Sequence, residues 1–345
     1  MIKEIFLFLS VVMCACNATH SNHTNSPADS LKAVANEPVA APVKLGEAFL
    51  FTLGNTEQAA CYLPKSYDQK QKYPVLIFFD PHAEALQVIH RYKALAEQYH
   101  CILLASANAK NGLPLEESVQ YASHLLSYAQ QHYSLNNDKI FVAGFSGGAK
   151  VAMAFASENS LIDGVIYCGA AIPVSFQSSV TLLGFAGIKD MNYADVIDFD
   201  KQLKTNKHYL VEWKGIHAWP DTLVFSDAFD IIQNGEVKNF AQKKITTSDA
   251  VLKQEQNIKQ QLLIALQQKD AKWWNVCITD FNQQKKSNMM YERLLGFVSL
   301  ACYSYVNQAI QQANKVEAQR IMQIYRSADP SNTSLPELQS KIDAL

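Results

Sequence analysis

The 345-residue chain has no excess of either charge, with 30 Lys and Arg against 32 Asp and Glu, a formal charge of −2. A nucleic-acid-binding surface leaves a basic footprint, so no nucleic-acid partner is expected. Glycine and proline are few, 13 and 11 residues, which excludes collagenous and low-complexity architectures. No apolar run reaches the roughly 20 residues that a membrane-spanning helix needs. The seven cysteines include no CxxC pair and no Cys/His group at zinc spacing, so no metal site is expected. What is present is apolar material: 48% of the residues are hydrophobic. That is ample for a packed core and excludes a disordered chain. At roughly 150 residues per domain, the length fits about two domains.

Residues 5–15 form an apolar run broken only by Ser10, behind a single positive charge, Lys3. It fits the apolar region of a signal peptide. The run ends Val12-Met13-Cys14-Ala15-Cys16, which resembles a bacterial lipoprotein signal. The resemblance implies a leader over residues 1–16 and a lipid on Cys16 that holds the chain at a membrane surface. It places the protein in a bacterial cell envelope, periplasmic or on the outer membrane, with simple secretion as the alternative. Residues 17–44 are rich in Ser, Thr, Asn, Pro and Ala and read as a flexible linker. Of the cysteines beyond it, Cys61, Cys101 and Cys168 sit in apolar, strand-like runs and read as buried thiols. Cys277 and Cys302 make the set odd in number, and one disulfide is the competing reading.

From residue 45 to about 235, strand and helix signals alternate. Strands are expected over 47–53, 59–63, 73–79, 101–107, 139–144, 163–170, 180–186 and 208–213. Helices are expected over 83–99, 116–132, 147–158 and 193–204. The run over 73–79 is almost continuously apolar, as in a strand buried on both faces. This alternation predicts an α/β fold, a mostly parallel sheet flanked by helices.

At the end of the 139–144 strand stands Gly144-Phe145-Ser146-Gly147-Gly148. The Gly-x-Ser-x-Gly pattern gains weight from its setting, a strand-to-helix junction, which a nucleophile elbow requires. Flanking glycines let the backbones approach closely, and Ser146 is the candidate nucleophile. A serine hydroxyl needs a base, and in this fold the acid and the histidine follow the serine in the chain. Only His208 and His217 follow Ser146. His208 begins a strand, whereas His217 lies past that strand's carboxyl end, where active groups collect in parallel sheets. Asp190 is the first carboxylate after the 180–186 strand and is the expected acid, with Asp195 in reserve. For the oxyanion hole, one backbone N–H is expected from Gly147 and the other from His82 or Ala83, in the loop after the third strand.

Three motifs, Gly144-x-Ser146-x-Gly148, Gly187-x-x-Asp190 and Gly215-x-His217-x-Trp219-Pro220, give residues 47 to about 235 a resemblance to α/β-hydrolase serine esterases. The nearest branch holds polyhydroxyalkanoate depolymerase-like, feruloyl esterase-like and dienelactone hydrolase-like proteins. The resemblance implies an acyl-enzyme mechanism that needs no cofactor. Ser146 favours the esterase members, because dienelactone hydrolases use cysteine. Only nine residues separate the strands ending at Ala170 and starting at Val180, too few for an inserted lid. An open site suits a bulky or polymer-attached acyl group better than a buried lipid, and the partner expected is a small-molecule or polymer-linked ester. Phe145 and Trp219 are candidates to line its pocket, with Phe176 and Trp213 behind them.

Beyond residue 235 strand signals stop. Helical periodicity is expected over 248–268, 273–283, 288–313, 316–327 and 335–344. The hairpins resemble tetratricopeptide-type repeats weakly, through Ala318 and Pro330. Residues 236–345 therefore read as an α-helical C-terminal domain: a stabilising appendage packed on the hydrolase, a module that docks a protein partner or orients substrate, or a dimerisation element. The function expected is cleavage of a carboxylic ester through Ser146, His217 and Asp190. A peptidase with the same triad is one alternative, and a non-catalytic binding protein on the same scaffold is another.

Overall fold

The computed structural model describes residues 43–54, 56–204, 207–238 and 247–345. The expected leader over 1–16, its Cys16 and the linker as far as residue 42 lie outside them. One eight-stranded sheet organises the first part. Two strands, β1 (Ala48–Leu53) and β2 (Glu57–Tyr62), form an antiparallel hairpin at its edge. The strands that follow are β3 (Tyr73–Phe79), β4 (Ile102–Ser106), β5 (Leu135–Phe145), β6 (Gly164–Cys168), β7 (Thr181–Gly187) and β8 (His208–Trp213). The spatial order is β1-β2-β4-β3-β5-β6-β7-β8, parallel from β4 onward.

Side chains alternate along each strand, so each strand feeds two cores. In β3, Val75, Ile77 and Phe79 face one side, and Leu76 and Phe78 the other. The first side is covered by α2 (Leu115–His132), α3 (Gly147–Glu158) and α4 (Tyr193–Gln202). The second is covered by α1 (Ala85–Gln98) and α5 (Thr222–Asn234). This order, with helices on both faces, is an α/β-hydrolase fold. Helix α5 was not among the expected elements. Its boundaries are nevertheless written in the sequence: Asp221 caps it by accepting from the Val224 N–H at 2.9 Å, and Gly235 ends it at φ 77°.

The chain reverses direction across the sheet at β3, which has β4 on one side and β5 on the other. Loops leaving the carboxyl ends of β3 and β5 therefore diverge, and the crevice between them is where α/β sheets place their ligands. Ser146 stands directly at that crevice.

Five helices complete the chain: α6 (Asp249–Gln268), α7 (Ala271–Gln284), α8 (Met289–Gln311), α9 (Lys315–Ala328) and α10 (Leu335–Asp343). They share a core built on Leu266, Trp274, Leu294, Val298, Ile321 and Tyr325. The described sheet and helices belong to one compact unit. Leu252 of α6 packs into the sheet's own core beside α4. Among the described residues no helix is long and apolar enough to cross a membrane.

All five cysteines of the described residues are free thiols, and only Cys277 has appreciable exposure. Burial pushes the Cys61 and Cys302 thiols up to about 12 and raises Cys101 and Cys168 as well. A buried neutral thiol is a poor nucleophile. A short iodoacetamide pulse at pH 8 is therefore expected to spare Cys61, Cys101, Cys168 and Cys302 in the native protein. All four should label after unfolding in urea, as peptide mapping would show; native labelling of any of them would contradict the packing described.

Candidate active site

The turn from β5 into α3 puts Ser146 at φ 52° and ψ −120°, outside the regions that L-residues favour. Such a conformation costs on the order of 1–3 kcal/mol and persists only where the surroundings enforce it. Here they do. The Ser146 N–H donates to the Cys168 carbonyl at 2.9 Å, and the Ser146 carbonyl accepts from Ala149 at 3.1 Å. A Cβ on Gly144 would overlap the Gly148 carbonyl, and one on Gly148 would overlap the Phe79 carbonyl. The two glycines of the motif thus let α3 start against the ends of β5 and β3.

Three strand ends then meet. Ser146 Oγ lies 3.0 Å from His217 Nε2, and His217 Nδ1 lies 2.9 Å from Asp190 Oδ1. Asp190 is 2% exposed, while His217 keeps about a fifth of its side chain open. The loops after β7 and β8 are tied together by backbone bonds, Lys189 N–H to the Gly215 carbonyl at 2.9 Å and Ile188 N–H to the Trp213 carbonyl at 3.0 Å. Asp190 and His217 are therefore held in mutual register by the loops that carry them. The geometry is that of a nucleophile, a base and an orienting acid. His208 is elsewhere, paired with Asp200 at 2.9 Å. Asp195 is also outside the line; it pairs with Lys259 at 3.1 Å.

The loop after β3 departs from expectation. The His82 N–H donates to Asp80 Oδ1 at 2.8 Å, and the Ala83 N–H to the Asp80 carbonyl at 3.0 Å. Both expected oxyanion donors are thus engaged in a turn that Asp80 closes, with Ala83 at φ 58°. The expectation for His82 and Ala83 is corrected on that ground. Gly147 is the first residue of α3, where N–H groups have no partner within the helix.

Phe145 and Trp219 present little surface to a substrate. They are 9% and 7% exposed and pack into the core on the α1 and α5 side. Phe145 lies tilted against the imidazole, ring centroids 4.6 Å apart, and Trp219 packs tilted on Phe145 at 5.8 Å. The Trp219 Nε1–H donates to Asp80 Oδ2 at 2.8 Å, and the Tyr92 hydroxyl donates to the Pro220 carbonyl at 2.7 Å. The Trp219-Pro220 pair therefore fastens the His217 loop to the β3 loop and to α1. An edge of Trp219 reaches a polar surface cleft of about 460 Å³ shared with Asp80, Glu84 and Arg91. Trp213 lines a different cleft, of about 500 Å³, with Ile188, Lys214, Met289 and Met290.

Sequence reasoning overlooked three residues. Gly169 sits at φ 63°, and a Cβ there would stand 2.7 Å from Asp190 Oδ2 and 3.2 Å from His217 Nδ1. Asn192 donates its backbone N–H to Asp190 Oδ1 at 2.8 Å and its side-chain amide to the Gly169 carbonyl at 2.7 Å. Asn111, after β4, overhangs the elbow so closely that a Cβ on Gly147 would overlap its amide oxygen. Gly169 directly follows β6 and Asn192 is two residues past Asp190, so both lie at carboxyl strand ends, a usable signal. Nothing in its local sequence marks Asn111.

No family model matches the chain, and no curated protein matches it. Solved structures are similar in fold. One is a hyperthermophilic esterase from the archaeon Pyrobaculum calidifontis, 14% identical, covering 56% of this chain and 87% of that one at a TM-score of 0.45. Another is Est1E from Butyrivibrio proteoclasticus, 16% identical, with 53% and 95% covered and a TM-score of 0.41. A third is a dienelactone hydrolase-like promiscuous phosphotriesterase from metagenomic libraries, 12% identical, with 51% and 84% covered and a TM-score of 0.39.

Gly169→Ala is expected to push Asp190 and His217 apart while leaving the sheet intact. A displacement of this kind costs about 100-fold in the reaction of Ser146 with a fluorophosphonate probe. Far-UV circular dichroism should be unchanged. An unaltered labelling rate would contradict the packing around Gly169.

Proposed function

We propose that the protein is a serine hydrolase that cleaves carboxylic esters. The observation that carries the reading is the unbroken hydrogen-bonded line from Asp190 through His217 to Ser146, with the serine held on a strained turn above the sheet. Ser146 Oγ attacks the ester carbonyl as its proton passes to His217 Nε2. Asp190 keeps His217 in the tautomer that has its proton on Nδ1, and stabilises the imidazolium without taking that proton. The oxygen of the tetrahedral intermediate meets the Gly147 N–H at the start of α3, where the helix dipole adds favourable charge. The intermediate collapses, the alcohol leaves with the proton from His217, and an acyl group remains on Ser146. Water then attacks the acyl carbon, again giving its proton to His217, and the acid departs as Ser146 regains its hydrogen.

Only 12 residues lie between the end of β6 at Cys168 and the start of β7 at Thr181, which supports an uncovered site and an ester that is bulky or attached to a polymer. The chain acts outside the cytoplasm in this reading, anchored at a membrane through a lipid on Cys16. The apolar run over 5–15 followed by Ala15-Cys16 supports that placement. The mechanism draws on no cofactor.

The test is a fluorophosphonate probe and 4-nitrophenyl butyrate, set against a panel of peptide anilides. Wild-type protein should label and turn over the ester, and Ser146→Ala should do neither. Asp190→Asn, which leaves the imidazole in the wrong tautomer, should lower kcat about 10⁴-fold. Faster cleavage of the anilides than of the ester would make the protein a peptidase. Absence of labelling in folded wild type would remove the hydrolase reading.

A further inference from the structure

We propose that the C-terminal helices hold the acid of the triad in place, with Arg293 of α8 and Lys259 of α6 as positioning residues that act through Asp190. The inference rests on the hydrolase reading for its consequence and on the following contacts for its geometry. The loop 188–192 carries Asp190 and makes two carbonyl oxygens available to the helices, one on each side of the aspartate. The Ile188 carbonyl accepts from Arg293 Nη1 at 2.8 Å, and the Met191 carbonyl from Lys259 Nζ at 2.5 Å. Both donors are buried, 3% and 5% exposed. Glu255 of α6, with no exposed surface, fixes the Arg293 fork through Nε at 3.0 Å and Nη2 at 2.5 Å. The guanidinium also lies 4.5 Å over the ring of Tyr193, whose N–H donates to the Asp190 carbonyl at 2.9 Å. Gly296 of α8 faces Met191 of the same loop, where a Cβ would stand at ordinary contact distance, 3.5 Å.

An appendage that merely adhered to the sheet could do so through apolar surface anywhere. Instead, two buried cations bracket Asp190; the buried Glu255 hydrogen-bonds Arg293, and Asp195 holds Lys259 at 3.1 Å. Directional bonds to backbone carbonyls fix where a loop sits; apolar contacts alone do so less sharply.

The experiment uses the full chain with two sets of changes. One is Lys259→Met. The other is Glu255→Gln with Arg293→Met, which removes both charges of the buried pair together so that neither is left unpaired. Each is measured with 4-nitrophenyl butyrate in the wild-type and Asp190→Asn backgrounds, and each is examined for the low-field proton resonance of the His217–Asp190 hydrogen bond. A looser acid is expected to lower kcat about 10-fold or more with KM within about twofold. In the Asp190→Asn background the further loss should be under about twofold, because the group being positioned is gone. Lys259→Arg, which keeps a donor for the Met191 carbonyl, should recover most of the rate. The low-field resonance should weaken or vanish in both sets. Equal losses in the two backgrounds, or an undisturbed resonance and kcat in folded variants, would overturn the proposal. If the wild type has no turnover, the resonance still decides: its loss in the variants upholds the clamp while the hydrolase reading falls.

Discussion

A carboxylate with 2% of its surface exposed must find its partners inside the protein. Asp190 is that group, and much of the architecture around the elbow serves to satisfy it. One oxygen takes the His217 Nδ1 and the Asn192 N–H; the other faces the space that Gly169 leaves by having no side chain. Each partner comes from the carboxyl end of a different strand or from the loop just beyond it. The order β6-β7-β8 is therefore what lets three short segments meet at one carboxylate. Separating β8 from β7 in the sheet would take the His217 partner away from a buried carboxylate, a penalty of several kcal/mol.

Asp80 is a second buried carboxylate, 5% exposed, with a different task. Its Oδ1 closes the loop after β3, and its Oδ2 holds the Trp219 indole. The loop carrying His217 is tied to the Asp190 loop through Gly215, to the β3 loop through Trp219 and to α1 through Pro220. The imidazole is further backed by the Phe145 ring. At Ser146 the strained turn is packed tightly on every side: a Cβ on Gly144 or Gly148 would clash, and the His217 ring facing Ser146 is backed by Phe145.

Most of this was legible in the sequence because it rests on local pattern. The apolar run over 73–79 and the strand at 208–213 match β3 and β8 residue for residue, and the helix at 147–158 matches α3. Ser146, Asp190 and His217 could be chosen because chain order and strand polarity eliminate the other candidates. What was not legible depends on which polar groups are already occupied. His82 and Ala83 lie in the expected loop, but Asp80 engages both of their N–H groups, and nothing in the spacing says so. Phe145 and Trp219 sit beside the nucleophile and the base in sequence. Strand alternation nevertheless sends Phe145 into the core, and the hydrogen bond from Trp219 to Asp80 pulls the indole in after it. Helix α5 was missed because its buried face includes Asp227 and Asp230, which blur the apolar periodicity.

The helix–sheet seam raises the question of why it is charged at all. A buried ion pair such as Glu255–Arg293 adds little stability compared with apolar residues of the same volume. If α6 and α8 met the acid loop with leucines, however, the Ile188 and Met191 carbonyls would lose both water and any donor. Each buried, unsatisfied carbonyl costs about 1–3 kcal/mol. The loop cannot satisfy them internally, because its own N–H groups reach back to Gly187, Trp213 and Gly215, where they set the position of Asp190. Cationic donors from the helices are thus the condition under which this loop can be covered. Glu255 follows from the same logic, as the counter-charge that makes a buried arginine tolerable. The ionic cluster is best understood as what the Asp190 loop requires of any structure packed against it, and the helical region has the residues to meet that requirement.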